Sequence, residues 1–209
     1  MQFSTGIVTY KDAQSLQKAL ESIGRLSDDI IVVYDGEPDA ETVQVVKMYN
    51  ARLISEEHLG GSDPHRITIF KEAKHDWVFM LDSDERISTE LQRVLLDLED
   101  SALHPYDAVS VLWPLTKNGK IVTLHNTRPV LFRKQNVWMP DMHNFGARPV
   151  GKTLHVPFVL EHHHTQEKVG IGLLFGSLKK RIERDAKSFA RHKEQIVCWN
   201  KMKDLYLRT

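Results

Sequence analysis

Trp77-Val78-Phe79-Met80-Leu81-Asp82-Ser83-Asp84-Glu85 sets five apolar residues in a row against three carboxylates in the next four positions. An apolar run without polar alternation predicts a strand covered on both faces, the usual condition of strands in parallel sheets. Two carboxylates one residue apart at the end of such a strand can address a divalent cation and a neighbouring hydroxyl together. Mg2+ and Mn2+ need only one or two protein carboxylates, because phosphate oxygens and water fill the other positions. In a solvated turn the same acids would need no ligand. Here a buried strand precedes them, and Ser88 is placed to cap a helix over residues 89–99 with Leu91, Val94, Leu95 and Leu98 on one stripe.

Upstream, strand and helix signals alternate. Residues 3–10 are a short β-rich run. Residues 12–26 repeat Leu16, Ala19, Leu20 and Ile23 at helical spacing behind a capping Asp12. Asp29-Ile30-Ile31-Val32-Val33-Tyr34 is a second continuous apolar strand, closed by the turn-forming Asp35-Gly36-Glu37-Pro38-Asp39. Residues 40–49 are expected as helix with Val43, Val46 and Met48 inward, residues 51–55 as strand, and residues 65–74 as helix after the Gly60-Gly61 segment. Strands separated by helices in this way predict an α/β fold with a mostly parallel central sheet and helices on both faces. Ligands of such sheets bind outside the carboxyl ends of the strands, where Asp35, Asp82 and Asp84 fall.

The second half reads differently. Residues 108–115 and 128–133 are expected as strands, with Lys117-Asn118-Gly119-Lys120 as a hairpin turn. Residues 134–170 read as loop without a clear period, and a basic amphipathic helix is expected beyond them, with Leu174, Leu178, Ile182 and Phe189 on one side.

Composition adds exclusions. The 209 residues carry 28 Lys+Arg and 28 Asp+Glu, but residues 1–110 hold 10 basic and 21 acidic side chains and residues 111–209 hold 18 and 7. The neutral total therefore hides an acidic half and a basic half. One cysteine, Cys198, allows neither an intrachain disulfide nor a cysteine metal cluster. Without a signal-type N-terminus or an apolar run near ~18 residues, a cytoplasmic location is expected, with the basic C-terminal helix leaving peripheral membrane contact open.

Four segments, in order and spacing, resemble family 2 glycosyltransferases of the GT-A fold. They are the first strand from Ser4 to Tyr10, the strand and acidic turn from Ile30 to Asp39, the Gly-rich approach from Gly61 to Arg66, and Asp76 to Arg86 with a DxDE motif like that of lipopolysaccharide core-type members. The resemblance implies one GT-A domain over residues 1–170, made of a nucleotide- and metal-binding half (1–110) and an acceptor-side half (111–170), and a helical extension over 171–209. It implies a metal-dependent, inverting transfer from a nucleoside diphosphate sugar, a UDP-sugar foremost, with Mn2+ or Mg2+ as cofactor.

Carried across position by position, the resemblance puts Thr9, Tyr10, Asp35, Arg66 and Asp82 at the donor and Asp84 with Asp82 at the metal. His162, within Glu161-His162-His163-His164, completes the metal shell or contacts the diphosphate. Tyr34 departs from the family, which commonly has an Asp there. The family's general base falls within Trp138-Met139-Pro140-Asp141-Met142-His143-Asn144. Asn144 stands in place of the usual Glu, so Asp141 or His143 takes the proton; at ordinary pKa values both are largely deprotonated at neutral pH.

The basic half implies cations toward the diphosphate or an anionic acceptor (glycan, lipid or nucleic acid): Arg128, Arg133 and Lys134 around a strand, and Arg148 and Lys152 in the loop. The C-terminal helix offers a surface for a second copy of the chain. Two other classes fit parts of the pattern. One is a nucleotidyltransferase on a related fold, although no Gly-rich, basic phosphate loop follows the first strand. The other is a non-catalytic module binding nucleic acid or acidic glycans.

Overall fold

The structure, a computed structural model, describes residues 1–117, 120–121, 127–139 and 146–163. The expected alternation is present as β1 (Ser4–Thr9), α1 (Ala13–Ile23), β2 (Asp29–Asp35), α2 (Ala40–Met48), β3 (Arg52–Glu56), α3 (Arg66–Glu72) and β4 (Trp77–Asp82). There follow β5 (Glu85–Ile87), α4 (Thr89–Asp97), α5 (Asp100–Leu103), β6 (Ala108–Leu112), β7 (Leu115–Lys117), β8 (Lys120–Ile121), β9 (Thr127–Arg133), β10 (Val137–Trp138), β11 (Arg148–Pro149) and β12 (Thr153–His163). The central sheet runs β3-β2-β1-β4-β9-β6-β12-β7-β8, with β5 also paired to β12.

β3, β2, β1 and β4 are parallel neighbours, β9 runs antiparallel to both β4 and β6, and β12 lies parallel to β6. The carboxyl ends of β1, β2, β4 and β12 and the amino end of β9 therefore share one edge. β1 and β2 are buried along their whole length, which explains why neither alternates. On one sheet face Leu16, Leu20 and Ile23 of α1 and Leu91 and Leu95 of α4 pack with Phe3, Ile7 and Phe79. On the other, Ile69 and Phe70 of α3 pack with Val8, Ile31, Val33 and Met80. The caps expected from sequence form: Asp12 accepts from Ser15 N at 3.1 Å and Ser88 from Leu91 N at 3.3 Å. Among the described residues no helix is long and apolar enough to cross a membrane.

Three expectations are corrected. Thr42, Val45 and Val46 form the buried side of α2, and Met48 is 62% exposed. The 65–74 helix is the shorter α3, entered through a 3-10 turn at Asp63–His65. The stretch expected as loop contains β10, β11 and the eleven-residue β12. Leu154, Val156 and Phe158 do alternate there and pack on the core, but Pro157 interrupts the reading, and the register of β12 against β6 shifts between His155 and Val159. A proline cannot donate to a ladder and is tolerated at such irregularities. The hairpin is present as the antiparallel β7–β8 pair; residues 118–119 at its tip and the expected helix in 171–209 lie outside the described residues.

Gly6 of β1 is where α3 sits directly on the sheet, since a Cβ there would lie 2.1 Å from Ile69 Cγ2. Gly6→Ala is expected to destabilise the chain by about 1–3 kcal/mol through overpacking. Adding Ile69→Ala should recover part of that loss, as a coupled pair does. Urea denaturation of the two single variants and the double variant checks it; strictly additive losses would contradict the contact.

Candidate active site

Asp82, the last residue of β4, sits between two guanidinium groups. Arg66 Nη2, from the start of α3, donates to Oδ1 at 2.8 Å, and Arg128 Nη1, from β9, pairs with Oδ2 at 3.0 Å. The backbone then turns tightly, and Glu85, fully buried, points back: its Oε2 accepts from Asp82 N at 2.7 Å. Its Oε1 accepts from Trp113 Nε1 at 2.6 Å and pairs with Arg128. β12 fixes the far side of the turn. His162 is in register with Glu85, and His163 N donates to Asp84 O at 2.8 Å. This brings His162 Nε2 to 3.3 Å from Asp84 Oδ2. The His162 ring stacks on Trp113 with centroids 4.6 Å apart, and Arg128 lies over the same indole.

These contacts set the charges. Burial pushes Asp82 up, but Arg128 and Arg66, helped by His162, pull it down to about 2. Burial pushes Glu85 up, Arg128 opposes it and Asp82 adds repulsion, leaving Glu85 at about 7. Burial works against the charge of Arg128, yet Asp82 and Glu85 together hold its pKa above the usual arginine value. One nitrogen of that guanidinium, Nη2, is buried without a hydrogen-bond partner among the described residues, as is the Thr9 hydroxyl at the end of β1. Buried polar atoms are usually satisfied; two unspent donors at one sheet edge suit an oxygen-rich ligand.

The second acidic turn, at the end of β2, is organised differently. Asp35 is buried, and both its oxygens are engaged. Oδ1 accepts from Leu59 N at 2.6 Å and meets His65 Nε2 at 2.8 Å, while Oδ2 accepts from Gly60 N at 2.8 Å and lies 3.2 Å from His58 Nδ1. Burial pushes Asp35 up, and the bonds from His65 and Leu59 outweigh it, so its pKa is lowered. Tyr34 is buried, with its hydroxyl donating to Asp39 at 3.0 Å and accepting from Lys11 N at 3.2 Å. Tyr10 is 41% exposed and stacks on His58 at 4.5 Å.

The structure thus gathers Arg66, Asp82, Asp84, His162 and Arg128, with Thr9, Tyr10 and Asp35 on the same edge. Asp141, His143 and His164 lie outside the described residues. Three basic residues expected near the diphosphate or acceptor are elsewhere. Arg133 is in register with Trp77, the first residue of β4, Lys134 Nζ donates to Ala73 O at 2.9 Å, and Lys152 O accepts from Asp107 N just before β6. All three are at the opposite, amino edge of the parallel strands. Trp113 and His65 have no sequence signal that marks them, since neither belongs to a periodic stripe. Glu85 was visible as a third acid, but its inward direction follows only from the pairing of β5 with β12.

For a divalent cation, Asp84 with His162 is the fitting pair: a carboxylate and an imidazole that already meet, with room in the coordination shell for phosphate oxygens. Asp82, with each oxygen on a guanidinium, has less to offer a metal. Among the described residues no group of three or more His, Cys, Asp or Glu side chains could hold a metal unaided.

Comparison with known proteins gives this edge a context. The family model described as "Glycosyl transferase family 2" matches residues 4–150. An uncharacterized glycosyltransferase of Rickettsia bellii is 32% identical over 137 residues, covering 64% of this chain and 43% of that protein. One from Rickettsia prowazekii is 34% identical over 91 residues, 43% of this chain and 30% of that protein. The chain thus spans less than half the length of these relatives. Among solved structures, residues 1–349 of S. aureus TarS in complex with UDP-GlcNAc superpose with a TM-score of 0.56 at 18% identity, covering 79% of this chain and 59% of that one. The mannosyltransferase PcManGT from Pyrobaculum calidifontis, in complex with GDP-Man and Mn2+, gives a TM-score of 0.51 at 12% identity, over 99% of this chain and 81% of that one. The shared fold is the GT-A fold expected from the sequence.

The Asp82 contacts have a measurable consequence. Its folded pKa of about 2 lies below the ordinary 3.8, so its contribution is complete above about pH 4 and is lost as pH falls toward 2. That contribution is on the order of 2 kcal/mol. Denaturation curves between pH 5 and pH 2.5 should fall less steeply for Asp82→Asn than for the wild type. Equal slopes would show that the carboxylate is not held by the two arginines.

Proposed function

This chain belongs to glycosyl transferase family 2, and from that membership we propose that it moves a sugar from a nucleoside diphosphate sugar to an acceptor hydroxyl, with inversion at the anomeric carbon. The observation that carries the reading is the edge where Arg66, Arg128, Asp82, Asp84 and His162 converge beside a buried, unspent Thr9 hydroxyl. A UDP-sugar is the favoured donor, in keeping with the UDP-GlcNAc complex of the structural relative TarS. Thr9, Tyr10 and the Asp35 turn border the nucleoside end. Arg66 and Arg128 face the diphosphate, where their charge offsets the negative charge that grows as the sugar–oxygen bond breaks.

In the displacement, the acceptor oxygen attacks the anomeric carbon, the bond to the nucleoside diphosphate breaks, and the acceptor proton passes to a base. We assign that base to Asp141 or His143, in the acceptor-side half of the proposed 1–170 domain. Mn2+ or Mg2+ held by Asp84 and His162 would supply further positive charge to the leaving diphosphate, as the Mn2+ of the PcManGT complex suggests. Asp82 then works chiefly by fixing the two arginines rather than as a metal ligand. The basic residues of 171–209 are left to an anionic acceptor, a membrane surface or a second copy of the chain.

Asp84→Ala should lower transfer or donor hydrolysis at least about a hundredfold and remove Mn2+-dependent thermal stabilisation by the donor, with the unliganded melting temperature little changed. The screen uses UDP-, GDP-, CDP- and dTDP-sugars with Mn2+. Undiminished turnover in the variant, or no stabilisation of the wild type by any donor, would sink the proposal. Steep salt dependence of nucleic-acid or acidic-glycan binding, without any response to nucleotide sugars, would favour the non-catalytic module instead.

A further inference from the structure

His65 is fully buried, and each of its ring nitrogens faces a carboxylate: Nε2 lies 2.8 Å from Asp35 Oδ1 and Nδ1 lies 2.6 Å from Glu56 Oε2. A carboxylate only accepts, so both nitrogens must carry protons, which a neutral imidazole cannot provide. With both carboxyls ionised the ring is an imidazolium between two anions, an arrangement that removal of one member disrupts strongly. Burial works against its charge, and Asp35 and Glu56 more than offset that, so the His65 pKa is raised.

The two partners of this ring and the residue after it reach several parts of the site. Asp35, at the end of β2, also holds the amides of Leu59 and Gly60. Glu56, at the end of β3, also accepts from the Thr68 hydroxyl of α3. Gly36 N donates to Glu56 O at 2.8 Å, closing β2 against β3. The residue after His65 is Arg66, whose guanidinium reaches Asp82 at 2.8 Å. One side chain thus stands between the turn at the nucleoside end and the arginine at the diphosphate end.

We infer that His65 is a positioning residue for the donor: its doubly donating ring holds the 58–60 turn on Asp35 and sets Arg66 toward the diphosphate, without touching the reacting atoms. The inference rests on the donor reading above. It also gives Asp35 a role different from the one the family resemblance implies, since its oxygens are engaged by the protein itself.

The test uses the full chain with UDP and Mn2+. His65→Gln keeps a polar side chain but cannot donate to both carboxylates. Glu56→Gln leaves the His65–Asp35 contact in place and changes the partner of the other ring nitrogen, and so guards against a first variant that does not fold. Two readouts are taken: UDP affinity by calorimetry and hydrogen exchange of the 57–62 amides. His65→Gln should weaken UDP binding at least about tenfold and Glu56→Gln by about threefold, with faster exchange in 57–62 in both.

A pH series adds a readout that mere structural support would not move. The charged and titratable groups around the ring are Asp35, Glu56, His58, Asp63 and Arg66, and Asp35 and Glu56 raise the His65 pKa. Wild-type affinity should fall as pH rises through that pKa, and His65→Gln should lack this alkaline limb. Variants that bind UDP like the wild type, or exchange in 57–62 that stays unchanged, would overturn the role. No UDP binding by the wild type would overturn the donor reading and this role with it.

Discussion

A carboxylate clamped between two arginines joins the parallel and the antiparallel parts of the central sheet. Asp82 closes the last of the four parallel strands, Arg66 opens the helix that lies on them, and Arg128 comes from the first strand that runs the other way. Glu85 completes the arrangement from within, taking the second interaction of Arg128 and the amide of Asp82. Buried ion pairs of this sort are poor evidence of stability, because desolvation consumes most of the Coulomb gain. What the cluster provides is geometry: four cationic or acidic groups from three parts of the chain are fixed at one edge, with nitrogen and hydroxyl donors left over for a ligand.

β2 shows the same logic at both ends. It begins with Asp29, which accepts from the Ser4 hydroxyl at 2.6 Å, from Arg52 at 2.8 Å and from Lys74 N at 2.9 Å. It ends with Asp35, which holds the 58–60 turn and His65. The first carboxylate ties β1, β2 and β3 at the amino edge, away from the site, and the second ties the loops at the carboxyl edge. In sequence the two look alike, each an Asp flanking an apolar run. Only strand direction separates them: ligands of parallel sheets are met where the strands end.

That distinction governs what could be read from the residues. β1, β2, β4, the α1 stripe and the caps at Asp12 and Ser88 were legible because burial on both faces and helical spacing write directly into the order of side chains. β12 was not, since Pro157 interrupts an alternation of Leu154, Val156 and Phe158 that is otherwise regular. The basic half was legible as charge and misleading as location. β9 carries Arg128 at its start and Arg133 at its end, and because it runs antiparallel to β4 only Arg128 arrives at the site. A count of charges along the chain cannot distinguish these ends; pairing direction can.

Tyr34 shows how a departure from the family pattern is absorbed. A carboxylate at this place would be a second anion beside Asp35 at the end of β2, and like charges this close oppose each other. The phenol instead sits buried, donates to Asp39 and accepts from the amide of Lys11. Asp39 in turn caps α2 through Thr42 N at 2.8 Å, and Lys11 has a positive φ of 49°, unusual for a residue with a side chain. One hydroxyl therefore steadies both a strained turn after β1 and the cap of the following helix. In the donor reading proposed above, the nucleoside end of the site is built from Tyr34, an engaged Asp35 and the Tyr10–His58 stack, so recognition there would depend on stacking and on backbone amides more than on a free carboxylate. Its charged groups are spent inward, holding the loop, while the charge available to a ligand is concentrated about Arg66, Asp84 and Arg128.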